Sequence, residues 1–518
     1  MSRPTARREK DHAAGRRAVK VVFVALLIDL LAFTMPLPLF PRIIEGFVKD
    51  EARNPLGAPT LLSQTLGAVR SIRAYLFSFS TSRAVSDSRW DLTLLGGLLA
   101  SLFSTCQFLV SPHLGRLSDR YGRRPVLLAT MVGNLLSALL WLFADNFALY
   151  AASRVVGGLA EGNVQLSIAV ITDVTSPAAR ARSLALVGAA FSLAFTMGPS
   201  LGAYLSQRTF GRGSVVEVPA FLAGIFPFKE VRLNSYAVPA AMTVALLAFE
   251  TAYLAVRLPE TRGWSMPRGP ADAGQAAEVV AATATASLPR RRSVVERRAR
   301  LRRLERIHLA FLFFFSGAEF TLTFLTHNLF DWSNTQNGRL LGVIGILSAL
   351  LQGGYVRRRS KNASPAQTGR LAQSGIRACM FSLVLLALLP RVNASDRIAP
   401  VLLWTAAGGL AYVSATVVNS LNALASLETD EDDAGDAKDR STDSSSSERV
   451  DKGAALGSFR SKGQLGRAVG PLVTTAVYWT VSPSMAYLLC ALGTVGTAAA
   501  MGRVVREDRE LEEAKKRA

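Results

Sequence analysis

Eight polar side chains interrupt stretches of this chain that are otherwise too apolar to hold them: Asp29, Arg154, Glu161, Glu319, His327, Asn419, Asn422 and Arg467. Asp29 sits about halfway along LLIDLLAFTMPLPLFP, where a lone carboxylate is costly and needs a proton or a partner. Arg154, Gly158 and Gly162 recur at i+4 and give one smooth helix face for a neighbour to approach. Glu161 follows Arg154 by seven residues, so on a helix both point the same way, about 10 Å apart. Glu319 lies in FFFSGAEFTLTFLTHNLF, with Thr323 on the same general face and His327 further out. Histidine titrates near neutrality, so Glu319 and His327 could relay a proton; an interfacial hydrogen bond is the plainer reading of His327. Asn419, Asn422, Arg460 and Arg467 are further polar residues in apolar surroundings, Arg467 the deepest, and Glu250 is a weaker candidate. Arg154 and Arg467 supply one cation from each half of the chain, which suits an anionic ligand. Each has a structural alternative: Asp29 as a helix–helix contact, Arg154 as the ion-pair partner of Asp29 or Glu161.

The elements that must carry these residues are long apolar helices. Twelve stretches approach the roughly 20 residues that cross a bilayer, at 20–40, 92–113, 125–144, 147–170, 182–206, 235–256, 307–330, 336–356, 373–390, 398–424, 455–480 and 483–501. The first follows a basic leader but has no small-residue cleavage site and runs into Pro36, Pro38 and Pro41, so it is expected to stay as a helix. The chain is half hydrophobic with a net charge of +21. Its basic residues cluster before span 1, in the 2–3 and 8–9 connections and in 257–306, where twelve Lys/Arg stand against five acids. Alternating spans put all of these on one side, which the positive-inside rule makes cytoplasmic, with both termini. The charge is therefore topology rather than nucleic-acid binding, and Arg290–Arg306 suits anionic lipid. Cys106, Cys379 and Cys490 fall within spans as buried apolar side chains, without metal or disulfide spacing.

The organisation expected is a cytoplasmic tail (1–19), a six-helix bundle (20–256), a basic linker (257–306), a second six-helix bundle (307–501) and a cytoplasmic tail (502–518). Residues 42–91 form a long outer loop, with a small cap or an amphipathic helix around Leu61–Phe79. Residues 428–451 carry ten acids and the run Ser444–Ser447 and are expected to be a disordered, solvated cytoplasmic loop open to phosphorylation. Asn393-Ala394-Ser395 is a sequon set close to the membrane. The halves echo each other weakly. Gly198-Pro199 and Gly470-Pro471 fall late in the fifth span of each, and Gly353–Arg357 is a degenerate copy of the 2–3 loop without its aspartate. Repeated halves are the build of alternating-access carriers.

The 2–3 connection reads GRLSDRYGRRPVLL, too charged for hydrocarbon. It closely resembles the signature loop between helices 2 and 3 of the major facilitator superfamily. That resemblance implies an all-α membrane fold of twelve helices in two six-helix bundles. It also implies a cytoplasmic gate at Gly115, Asp119, Arg120 and Arg124 that latches the halves when the carrier opens outward. Asp29 followed by prolines resembles span 1 of the proton-coupled drug antiporters. Gly198-Pro199-Ser200-Leu201-Gly202 resembles their span-5 motif, with Ala203 where a second terminal glycine is usual. The run SFRSKGQLGRAVGPLVTTAVYW resembles the eukaryotic tetracycline-transporter-like members, regarded as organic-anion exporters.

The function expected is thus secondary, proton-coupled antiport of small organic solutes, organic anions or amphipathic drugs, across the plasma membrane or an organelle membrane. Proton-coupled uptake of a metabolite is the alternative; a non-transporting scaffold leaves the cost of several deep charges unexplained. No nucleotide-binding loop or metal-ligand cluster occurs in the sequence, so no enzyme, cofactor or nucleic-acid partner is expected, only solute, protons and lipid.

Overall fold

In hydrocarbon every backbone donor and acceptor must be satisfied within the protein, which leaves helices as the structure for long apolar segments. The computed structural model describes residues 3–36, 39–52, 60–78, 88–206, 215–217, 230–232, 236–264, 293–360, 363–393, 396–429 and 451–517. They form α1 (Arg3–Thr34), α2 (Phe40–Ala52), α3 (Leu61–Ser78), α4 (Ser88–Tyr121), α5 (Arg123–Leu142), α6 (Phe147–Ala160), α7 (Asn163–Asp173) and α8 (Pro177–Ser206). After them come α9 (Ala237–Arg257), α10 (Val294–Phe330), α11 (Asn334–Leu351), α12 (Pro365–Leu388), α13 (Ile398–Leu427), α14 (Lys452–Thr480) and α15 (Pro483–Arg517). A two-stranded antiparallel hairpin, β1 (Val215–Glu217) with β2 (Glu230–Arg232), lies between α8 and α9 and pairs Val216 with Val231.

The protein is an all-α, multi-pass membrane protein apart from that hairpin. Among the described residues ten helical segments are long and apolar enough to cross a bilayer. The expected spans 1 and 11 correspond to α1 and α14, which are long enough but more heavily charged: α1 carries Arg16, Arg17, Lys20 and Asp29, and α14 carries Lys452, Arg460, Lys462 and Arg467. Both pack inside the assembly, α1 against α8 and α9, and α14 against α4 and α10.

Three segments differ from a simple reading of the spans. Span 4 is not one helix: α6 ends at Ala160, Glu161 adopts extended backbone, and α7 restarts at Asn163. Gly157, Gly158 and Gly162 make this stretch a weak helix former, and Gly162 is wedged against Leu114 and Thr130. The last part of the basic linker is helical and continuous with span 7. It begins at a capping box, Ser293 with Glu296, and runs unbroken into α10. Span 8 continues from α11 through a π-type turn, Gln352–Val356, into a helical turn at Arg357–Arg359.

Between α2 and α4, the helix α3 buries Leu62, Leu66 and Val69 while Leu61, Ile72 and Tyr75 stay exposed, so one of its faces is packed and the other free. Most of the acidic tract 428–451, the middle of the 257–306 linker and two residues of the Asn393 sequon lie outside the described residues. The three cysteines are free and buried.

Candidate functional site

The helix break in span 4 places an amide beside a carboxylate. Asn163, the first residue of α7, donates through Nδ2 to Asp29 Oδ1 at 2.8 Å and accepts from Thr130 Oγ1 at 3.0 Å. Asp29 is 4 % exposed, so this bond replaces the water that burial removes. A cavity of about 50 Å³ opens beside it within the first half, lined by Asp29, Phe33, Asn134, Trp141, Arg154 and Glu161 among others. The structure thus brings Asp29, Arg154 and Glu161 together. Arg154 lies over the rings of Tyr150 and Phe103, at 5.6 and 5.9 Å from their centroids, a cation–π seat for a charge in apolar surroundings. Glu250 of α9 is fully enclosed, its Oε2 unbonded, in the field of Asp29 and Glu161.

The second half answers these acids with bases. Arg460 of α14 lies within electrostatic reach of both Asp29 and Glu161. His308 of α10 stacks on Phe459 with centroids 4.4 Å apart and lies within reach of Arg460 and Arg467. Arg467 in turn faces Glu319. Glu319 is an exposed side chain of α10. Electrostatic reach thus links Asp29 and Glu161 to Arg460, Arg460 and Arg467 to His308, and Arg467 to Glu319.

Not every expected residue joins this set. His327 is exposed at the far end of α10, with its Nδ1 3.1 Å from the Trp332 carbonyl oxygen, the interfacial bond rather than a link to Glu319. Asn419 is buried against Gly188 of α8 and donates to the Ala415 carbonyl at 3.4 Å; Asn422 is half-buried close by on α13. His308 was missed because RRLERIHLAFLF reads as a basic flank, and Arg460 was passed over for the deeper Arg467. Their seven-residue spacing, two turns of one helix face, was the available signal.

On the basic face, the 2–3 connection ties the halves together. The first residue of α14 is preceded by Asp451, whose side chain makes no cap bond. Asp119 from α4 does so instead, accepting from the N–H groups of Gly453 at 2.8 Å and Ala454 at 2.7 Å. A carboxylate there also meets the positive end of the helix dipole. Arg123 holds Asp119 at 2.7 Å, Ser118 at 2.6 Å and Asp173 at 2.9 Å. Gly115 makes the approach possible, since a Cβ at that position would collide with the Gly453 carbonyl.

Arg120 and Arg124 act within the first half. Arg124 donates to the Ala255 carbonyl at 2.5 Å, while Arg262 donates to the Arg120 carbonyl. The start of α5 has a glycine N-cap, Gly122, at φ 105° with no side-chain cap. Glu260 fills that role, accepting from the N–H groups of Arg123 and Arg124 at 2.8 and 3.0 Å. Burial pushes the Glu260 carboxyl up, but the N–H groups of Arg262, Arg123, Arg124 and Thr261 outweigh it and hold it below its ordinary value. The Gly-Pro motif packs α8 onto α1: Gly198 abuts Thr34 and Gly202 the Met35 backbone, around the in-helix Pro199. Gly470 abuts the Phe313 backbone in the same way, packing α14 onto α10.

Comparison with known proteins accords with this geometry. Residues 22–437 match the model of the Major Facilitator Superfamily. The human major facilitator superfamily domain-containing protein 10 is 34 % identical over 472 residues, covering 90 % of this chain and 88 % of the relative. The class B tetracycline resistance protein of Escherichia coli is 24 % identical over 219 residues, 42 % of this chain and 45 % of that one. The crystal structure of the human organic anion transporter MFSD10 (TETRAN) superimposes with a TM-score of 0.69 at 29 % identity, covering 94 % of this chain and 99 % of that chain. The Escherichia coli fucose:proton symporter shares the fold, with a TM-score of 0.54 at 11 % identity over 94 % of this chain and 99 % of that one. With four-fifths of its length matched by the family model and relatives aligned almost end to end, the chain belongs to the major facilitator superfamily and is a secondary transporter.

Proposed function

We propose that the protein moves small organic anions across the bilayer in exchange for protons, by alternating access of two six-helix bundles. In this reading α1 and α14 cross the membrane with the ten more apolar segments, giving twelve spans, 20–256 and 307–501 as the bundles, and both termini in the cytoplasm. The observation that carries the proposal is Arg460 of the second half in reach of Asp29 and Glu161 of the first. A cation between two acids can release its hold on one of them when an anionic solute or a proton arrives, which couples the two ligands through one site. Arg154, Arg467 and Glu319 extend that site, and the basic face with Gly115, Asp119 and Arg123 closes it on the cytoplasmic side, Arg120 and Arg124 bracing the first half behind them. The names of the human organic anion transporter and the bacterial tetracycline resistance protein support anionic or amphipathic solutes.

The test is flux from proteoliposomes under an imposed pH gradient. Solute efflux is expected to collapse with the gradient, and Asp29→Asn and Glu319→Gln to uncouple it while the protein stays folded. Unchanged pH-driven flux in both variants rejects the coupling residues. Arg154→Gln, Arg460→Gln and Arg467→Gln are expected to weaken binding of anions more than of neutral analogues; equal losses point to structural roles. A counterflow screen against organic anions, cations and sugars identifies the solute class.

A further inference from the structure

Away from the central charged groups, the basic face carries a second cavity that the transport reading leaves unused. It measures about 560 Å³, within the range of roughly 300–1,000 Å³ typical of small-molecule sites. It lies between the turn at the end of span 8, the start of α12 and the middle of α13, lined by Tyr355, Arg359, Ser360, Arg370, Ser374 and Tyr412 together with Gln367, Thr368 and two apolar residues. Among the described residues the lining holds two guanidinium groups, several hydroxyls and an amide, and no carboxylate. Arg359 and Arg370 are both exposed. Arg359 sits over the Tyr355 ring at 5.6 Å, and the Tyr412 hydroxyl meets Ser374 Oγ at 2.9 Å, so the floor is preformed. Glu512, the nearby acid, is spent on the Ala366 N–H at 3.0 Å, at the start of α12.

The face of α12 that leaves this cavity has a definite order. Arg370, Ser374, Arg377, Phe381, Val384 and Leu388 follow one another at steps of three and four, a single helix stripe. Arg370 and Arg377 are exposed, and so are Phe381, Val384 and Leu388 further along. Arg377 stands about 18 Å from the start of the helix by rise, where an exposed guanidinium in hydrocarbon is expensive without an anion. The stripe is thus basic at one end and apolar at the other, the polarity of a phospholipid lying along the helix.

We infer that this cavity, with the α12 stripe above it, is a binding site for an anionic phospholipid of the leaflet on the basic face. Its phosphate lies between Arg359 and Arg370, its headgroup hydroxyls meet the Ser, Thr and Tyr side chains, and its acyl chains run along Phe381, Val384 and Leu388. The described lining offers two guanidinium groups and hydroxyls and no acid to an ammonium group, so phosphorylated polyol headgroups are preferred over zwitterionic ones. Basic pockets between transmembrane helices are suited to such headgroups. The inference does not depend on which solute is transported.

The experiment uses the full-length protein in phosphatidylcholine nanodiscs, titrated with phosphatidylinositol 4-phosphate and read by native mass spectrometry. Wild type is expected to retain the anionic lipid through partial delipidation. R359Q/R370Q is expected to lose it roughly thirtyfold, about fivefold per guanidinium, while R359K/R370K keeps most of it. The exposed pair Arg116→Gln and Arg257→Gln, in the first half and away from Arg290–Arg306, serves as control and should bind as wild type. Equal retention by R359Q/R370Q and wild type overturns the site, as does an equal loss in the control pair. Inositol phosphate lacking acyl chains should compete weakly; if it binds as tightly as the lipid, the ligand is a soluble phosphate and the lipid assignment fails.

Discussion

On the basic face the first half grips the second at two places, and the two grips have opposite sign. At one, the acid Asp119 accepts from the N–H groups that begin α14. At the other, the base Arg180 of α8 donates to the Ser426 carbonyl that ends α13 at 3.2 Å, and to Thr172 and Thr175 at the end of α7. Each side chain matches the sign of the helix terminus it meets, negative at a start and positive at an end. The backbones differ as well. Gly115 lets α4 and α14 touch main chain to main chain, whereas Gly353 and Gly354, the degenerate counterpart, have open space where a Cβ would go. The second grip instead uses side chains: Ser192 of α8 meets Ser348 Oγ at 3.0 Å and accepts from Gln352 at 3.0 Å. The first contact brings main chains together and adds Ser101 to Ala468 and Ser461 to Phe108 beside the Asp119 charge; the second is carried by side chains of α8 and α11 with Arg180.

The largest effect is expected from Asp119→Asn. Ser461 reports it, being 3 % exposed and donating to the Phe108 carbonyl across the two halves at 2.7 Å. A Ser461→Cys reporter, with the three native cysteines replaced, should react with a hydrophilic maleimide roughly ten- to a hundredfold faster when Asp119 is neutralised. That range corresponds to about 1.5–3 kcal/mol for a hydrogen bond to a charged group. Unchanged labelling breaks the claim that the Asp119 charge contributes to closing this contact. Gly115→Ala should come next, because the added methyl must separate two backbones, an overpacking cost of about 1–3 kcal/mol. Its counterpart Gly353→Ala meets nothing and should leave labelling and stability near wild type. Equal effects of the two substitutions erase the distinction between the grips.

What the sequence revealed followed from cost. Asp29, Arg154, Glu319 and Arg467 stood out because ionic groups are rare in apolar helices, and the 2–3 loop because its charge density excludes hydrocarbon. What stayed hidden depended on distance in the chain. Glu260 caps α5 from 137 residues away, and nothing local in RLPETRGW marks it as a helix cap. The break at Glu161–Gly162 was concealed by the intact apolar periodicity on either side. The acid–base assignment across the halves also needed three dimensions: Arg460 comes within electrostatic reach of Asp29 and Glu161 because α14 packs beside α7. Span counting was legible for the strongly apolar helices and weakest at α1 and α14, the two that carry the most charge.

Arg180→Gln tests the second grip. Loss of a cation at a helix end is worth about 0.3–2 kcal/mol, and the Ser192, Ser348 and Gln352 contacts remain. Labelling of the Ser461→Cys reporter should therefore rise less than with Asp119→Asn. Combined, the two substitutions should multiply, since they share no partner. An Arg180 effect equal to that of Asp119 would make the two grips one cooperative lock.

The smallest effect is expected at Glu260, which supports Asp119 indirectly by fixing the start of α5 and hence Arg123. Its folded carboxyl is held below the ordinary value. The support it lends is therefore complete above the unfolded value, near 4.3, and is lost as the pH falls through the lower folded value. Glu260→Gln should raise reporter labelling by less than about threefold at neutral pH, since an amide oxygen in the Oε1 place still accepts from the Arg123, Thr261 and Arg262 N–H groups, while the Arg124 N–H loses its acceptor and the site its charge. The ratio of variant to wild type, corrected for the reagent's own pH dependence, should stay constant from pH 8 down to 5. It should approach one only below about pH 4, where the wild-type carboxyl gains its proton. A ratio that already falls between pH 7 and 5 means the four N–H groups do not hold this carboxylate, and that α5 is fixed to α4 by Arg123 alone.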